Sequence, residues 1–238
     1  MRGLVLAIAC LATPAGAQEL RATDGTTELA ISGPVDRYGH RIMGDVPEWS
    51  RLCLTRGGRE ACITLPEDRV FEDMEARLHD VDRDGLAEAV VVEAQANLGA
   101  ALVIYDLEDG ALRRVATPPI GTRFRWLAPV AVADLDGDSR IELAYVDRPH
   151  LAQTLRVWRY DGGRLTELAR LTGVTNHRIG EPYIVSALRA CAGSEPEMIL
   201  TDGARRDLLA VRFNGNALTA RVVGRYRNRD SISAAARC

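Results

Sequence analysis

The chain contains no lysine; all 30 of its basic residues are arginine, a bias of composition from which no function follows. Its formal net charge of −3 gives no indication of a nucleic-acid partner. Beyond the first residues, no apolar run approaches the ~18 residues that a membrane-spanning helix needs, so no transmembrane segment is expected. Histidine is scarce: His40, His79, His150 and His177 are scattered, without the H-E-x-x-H spacing that sets two imidazoles on one helical face around zinc. Neither a G-x-S-x-G elbow nor a P-loop occurs, which removes the best-marked serine-hydrolase and nucleotide-binding chemistries. A persistent amphipathic helical stripe is also missing, because Pro and Gly punctuate the chain every ~10 to 20 residues.

What is present begins with an address. Arg2 precedes the apolar run LVLAIACLA, and Ala15-Gly16-Ala17 stands before Gln18. This pattern predicts a signal peptide over 1–17 and a periplasmic or secreted mature domain over 18–238. Four cysteines follow it, Cys53, Cys62, Cys191 and Cys238, an even number suited to disulfides in an oxidising compartment. Three pairings are open in principle. Cys53 and Cys62 are symmetric about Gly57-Gly58, so a hairpin there would oppose them and leave Cys191 for Cys238.

The chemistry is concentrated in two acidic runs, DVDRDGLAE from Asp80 and DLDGDSRIE from Asp134. Carboxylates fall at relative positions 1, 3, 5 and 9 in both: Asp80, Asp82, Asp84 and Glu88 in ladder one; Asp134, Asp136, Asp138 and Glu142 in ladder two. Four like charges so close repel, and oxygen donors without His or Cys favour calcium, which takes 6 to 8 oxygens at about 2.3 to 2.6 Å. The position-7 carbonyls of Leu86 and Arg140 are candidate neutral ligands. An EF-hand is excluded: its twelfth position requires a bidentate Glu, whereas Val91 and Tyr145 stand there. The runs AVVVEA and IELAYV that follow read as buried strands, not helices.

The ladders are 54 residues apart, and the spacing extends further. Turn-centred hairpins recur at YDLEDGALRRVA, YDGGRLTELAR and FNGNALTARVV, with Leu112, Leu165 and Leu218 separated by 53 residues each time. A third loop should then fall near residue 189. There the chain reads RACAGSEPEMIL, which keeps Glu197 at position 9, has lost the aspartates and carries Cys191 at position 3. A disulfide to Cys238 is expected to pin this turn in place of a metal. Each unit reads as a strand, a loop, a second buried strand and a two-stranded hairpin, the blade pattern of a propeller. The expected fold is therefore all-β, a β-propeller-like array of about four four-stranded blades. Its repeats span 69–121, 122–177 and 178–225, with an irregular unit over 28–68 and a tail over 226–238.

The loop ladder, the strand after it and the period together resemble the FG-GAP/VCBS repeat family, over residues 69 to about 225. In that family, loops of the form D-x-D-x-D-G-x-x-D bind calcium between blade strands of integrin-type propellers. The resemblance implies two structural calcium sites, with ligation by the ladder carboxylates named above. The chain departs from the motif in having Glu at position 9, and in placing Gly137 and Ser139 at positions 4 and 6 of ladder two. The resulting expectation is an exported, non-enzymatic binding or scaffold module for a protein or glycan partner. An incomplete ring would also leave strand edges for self-association. The alternative is a hydrolase or lyase at the channel mouth, using Asp36, His40, Arg41 and Asp45 of the segment DRYGHRIMGD.

Overall fold

The computed structural model describes residues 19–238, so the expected signal peptide lies outside the described residues. The chain is all-β apart from one short helix. A first meander runs through Leu20–Thr23, Thr27–Val35, Glu48–Arg56 and Arg59–Thr64, each strand antiparallel to the next. In the second group, Arg69–Phe71 and Leu78–His79 share one edge of Glu88–Gln95, which pairs onward with Gly99–Glu108 and Ala111–Ala116. A single pair, Trp49 with Phe71, joins the two groups into a nine-stranded sheet. The third group is a four-stranded sheet of Leu127–Ala133, Glu142–Asp147, Thr154–Asp161 and Arg164–Thr172. The fourth repeats the broken first strand: Val174–Thr175 and Ala187–Arg189 lie along Glu197–Asp202, followed by Asp207–Phe213 and Leu218–Arg225.

Residue type explains this order. Glu88–Gln95 and Glu142–Asp147 are apolar, β-branched runs buried along nearly their whole length, as strands covered on both faces must be. The outer strands Ala111–Ala116 and Arg164–Thr172 alternate and are rich in arginine, which keeps an exposed edge soluble. Tight turns close the hairpins at Gly57-Gly58, Asp109-Gly110 and Gly162-Gly163, and both residues of each turn have positive φ. That is the type I′ geometry matching the right-handed twist of the flanking strands.

Apolar clusters lie between successive groups. Leu29, Trp49, Phe71 and Tyr105 bind the first to the second; Val90, Leu102, Trp126, Tyr145 and Trp158 bind the second to the third; Leu135, Val157, Leu200 and Phe213 bind the third to the fourth. The long loop between Val35 and Glu48 sends Tyr38, Ile42 and Met43 into the second of these clusters. It also reaches the fourth group, where the Gly180 N–H donates to the Ile42 carbonyl at 2.9 Å. Gly44 lies against this contact with φ +66°, and a Cβ there would fall 2.7 Å from the Gly180 oxygen, so both its conformation and the space require glycine.

The segment read as a tail holds the helix Arg229–Ala235, capped by Asn228 with reciprocal bonds to Ser231. Ile232 buries against Val185 and Leu208. Cys191–Cys238 fixes the end of the chain, and Cys53–Cys62 links directly opposed strand residues.

Candidate metal centre

The two ladders adopt the same backbone. Positions 4 and 6 are left-handed in both: Arg83 (φ 64°) and Gly85 (φ 89°) in ladder one, Gly137 (φ 79°) and Ser139 (φ 70°) in ladder two. Each loop spends its one glycine on a different left-handed position and tolerates a side chain at the other, at a cost of about 1 to 2 kcal/mol. The departures from the D-x-D-x-D-G pattern are therefore exchanges within one conformation.

The carboxylates hold these turns by accepting backbone N–H groups. Asp80 Oδ2 accepts from Gly85 (3.1 Å), Asp82 from Asp84 (3.2 Å), Asp84 from Leu86 (2.7 Å) and Glu88 Oε2 from Val81 (2.8 Å). In ladder two, Asp134 accepts from Ser139 (2.9 Å), Asp136 from Asp138 (3.2 Å), Asp138 from Arg140 (2.9 Å) and Glu142 from Leu135 (2.9 Å). One carboxylate oxygen from each of Asp80, Asp82 and Glu88 lies within 4.8 Å of the others, and Asp134, Asp136 and Glu142 form the equivalent trio. Both clusters could hold a metal ion; Asp84 and Asp138 lie outside these trios.

Their surroundings differ. The register that pairs Ala89 with Tyr105, extended by one residue, sets Glu88 opposite Asp106, whose charge acts on it, whereas Glu142 pairs with Arg159. The Arg159 guanidinium enters ladder two, donating to Glu142 Oε1 (2.6 Å) and Asp136 Oδ2 (2.8 Å) and lying 3.1 Å from Asp138. Arg140 adds a 2.7 Å contact to Asp138, and Arg83 reaches across from ladder one to Asp134 at 3.3 Å. Among the described residues, no arginine or histidine forms an ion pair with Asp80, Asp82 or Asp84. Arg56 stands 3.9 Å from Glu88 and 3.4 Å from Asp106.

Two further differences accompany this. Asp80 Oδ1 is buried with no hydrogen-bond partner among the described residues, while its counterpart Asp134 Oδ1 accepts the Gly137 N–H at 2.7 Å. Burial pushes the Glu88 carboxyl up to about 8; the Val81 N–H opposes this, and Asp82, Asp106 and Asp84 add to it. Burial also raises Glu142, but Leu135 and Arg159 pull against it. An unpartnered buried oxygen beside a carboxyl that resists ionisation is an environment short of positive charge. The residues of ladder one therefore fit a cation, and those of ladder two already have one.

The third loop takes this substitution further. At position 1, where the ladders have aspartate, Arg189 pairs with Glu197, and Arg221 adds contacts at 3.0 and 3.1 Å. Burial alone would raise Glu197, but the two guanidiniums outweigh it and lower the pKa. The Cys191–Cys238 disulfide sits at position 3 of this same loop.

Residues 80–145, which run from the start of ladder one through ladder two and into its following strand, match the family model of the FG-GAP-like repeat. The chain carries an FG-GAP-like repeat. No curated protein matches the chain. Asp106, inside the matched residues, and Arg159, beyond them, distinguish the surroundings of the two ladders, and the sequence reading missed both. They are 53 residues apart and Arg212 follows at the same interval, so the leucine period extended six residues backwards would have found them.

The residues of the alternative site divide. Asp36, Arg41 and Asp45 line one cavity of about 210 Å³, while His40 turns away from it to hydrogen-bond Glu72 at 2.6 Å. Glu72 lines that cavity and was not anticipated.

Proposed function

We propose that the protein is an exported FG-GAP-repeat module of about four propeller-like blades, stabilised by calcium, that presents its loops to a protein or glycan partner. The signal-like N-terminus and the two disulfides support an oxidising destination, periplasmic or extracellular. Among the described residues, no helix is long and apolar enough to cross a membrane.

The observation that carries the calcium reading is the buried, unpartnered Asp80 Oδ1 within the converging oxygens of Asp80, Asp82 and Glu88. Hard carboxylate donors of this kind suit calcium. Asp84 and the Leu86 carbonyl complete the proposed ligand set in ladder one; Asp134, Asp136, Asp138, Glu142 and the Arg140 carbonyl form that of ladder two. Each loop connects adjacent strands, Leu78–His79 to Glu88–Gln95 and Leu127–Ala133 to Glu142–Asp147, so the ion holds a turn and the role is structural. Calcium enters ladder one first, because in ladder two it must compete with the Arg159 guanidinium.

Thermal unfolding of the oxidised mature chain after chelation, with calcium or magnesium restored, tests this reading. At a hundredfold excess over Kd, one site contributes about 2.7 kcal/mol, a rise of roughly 5 to 10 °C for a chain of this size. Unchanged melting with calcium would leave the ladders as acidic turns and remove the calcium reading.

A further inference from the structure

The cavity beside the long loop is separate from both ladders. Its polar lining comes mainly from four acids, Asp36, Asp45, Glu48 and Glu72, with Arg41 as the one cationic side chain. These acids are not equivalent. Glu48 is saturated: its two oxygens accept the N–H groups of Tyr38 and Gly39 (3.1 Å each) and His40 (3.0 Å). Glu72 is about 1% exposed, with Oε1 bonded to His40 Nδ1 and Oε2 without a partner.

Glu72 is held firmly in this position. Its backbone N–H donates to Val92 at 2.9 Å, and its carbonyl accepts the Trp126 indole N–H at 2.9 Å. His40 stacks on Phe124 with ring centres 5.2 Å apart, which fixes the imidazole that orients the carboxyl. A rigid, buried acceptor with one free oxygen is costly unless something satisfies it.

The remaining lining selects the ligand class. Val35, Ile42, Met43, Val46 and Pro47 supply apolar wall. Among the described residues, the groups of three donors close enough to share a metal ion do not include Glu72, Asp36 or Asp45. Separated carboxyls with alkyl walls between them suit an organic cation better than an inorganic one, and an anion would meet repulsion.

We infer that this cavity binds a compact alkylammonium group, its N–H donors on Glu72 Oε2 and its chain along Ile42, Met43 and Val46. Asp36 and Asp45 bias entry toward cations. The ammonium head could belong to a free small amine or to a lysine side chain of a docked peptide, and the two share the same contacts.

Calorimetric titration at about pH 8.5, above the range in which Glu72 keeps its proton, of the calcium-saturated, oxidised mature chain with n-butylammonium, n-butanol and butyrate tests the inference. Butylammonium should bind at least about tenfold more tightly than butanol, as a charge-assisted bond requires, and butyrate should not bind. Glu72→Gln should weaken butylammonium by about tenfold or more at an unchanged circular-dichroism spectrum. If Glu72→Gln does not fold, tetramethylammonium takes its place: it has the charge without N–H donors and should bind the wild type more weakly than butylammonium. Equal affinity for butylammonium and butanol, no binding of either, or full retention of binding in folded Glu72→Gln would overturn the proposal. Nα-acetyl-lysine amide, compared with butylammonium, separates the sources: equal or tighter binding assigns the cavity to a peptide lysine, weaker binding to a free amine.

Discussion

Opposite its ninth residue, ladder one has Asp106 and ladder two has Arg159. The loops share their φ pattern, their common turn hydrogen bonds and their place between strands, but ladder two also has the Gly137 N–H on Asp134 Oδ1 and the ion pairs of Arg140 and Arg83. The cross-strand residue is the most buried of the differences that separate a loop short of positive charge from a loop that supplies its own. The third loop continues the series with Arg189, Arg221 and a disulfide. On the proposed reading, three devices hold the same turn: an added cation, a guanidinium and a covalent bond.

The largest effect should come from removing the guanidinium. Arg159→Met strips the cation from Glu142, which is fully buried, and loss of one partner from such a pair costs about 3 to 5 kcal/mol. Urea unfolding of the chelated protein should show this loss, and added calcium should restore more stability to the variant than to the wild type. No difference in the calcium response would mean that Arg159 does not compete for the site.

Asp80→Asn makes the complementary test. It removes the charge around the unpartnered oxygen, so it should abolish most of the calcium-dependent rise of about 5 to 10 °C and change the chelated melting temperature little. Differential scanning calorimetry with and without calcium would check both halves.

A carboxyl outside both ladders provides a pH control. Burial pushes Glu72 from its ordinary 4.5 up to about 7, with His40 opposing the shift. The folded chain therefore keeps a proton that the unfolded chain releases between those values. Its contribution is complete below about 4.5 and is lost as pH rises through about 7. Comparing wild type with Glu72→Gln by denaturation from pH 4 to 9 should show a smaller loss of stability across this window in the variant.

The smallest effect concerns the exchanged glycines. Ser139→Gly relieves a left-handed side chain at φ 70°, and should stabilise ladder two by up to about 1 kcal/mol. The offsetting cost is the greater freedom of glycine in the unfolded chain.

Much of this was legible in the sequence, for definite reasons. Carboxylate spacing marked the ladders, and glycine pairs marked the type I′ turns at Gly57-Gly58 and Gly162-Gly163, because few other residues accept two positive φ values in succession. Apolar runs marked the inner strands. Arg159 was not found, because its partner Glu142 lies 17 residues away and meets it only through strand register. Glu72 was hidden just past the short strand Arg69–Phe71, where sequence alone does not distinguish a buried carboxyl from a surface one. The closing helix has seven residues, too few to show a period, and depends on the Asn228 cap, on Ile232 and on the disulfide at Cys238.

The most direct test counts calcium on the metal-free mature chain by native mass spectrometry, with Asp80→Asn and Asp134→Asn titrated beside the wild type. The account predicts that the first ion to bind is lost in Asp80→Asn and retained in Asp134→Asn. Loss of that first ion in Asp134→Asn alone, or two sites filling together in the wild type, would contradict it.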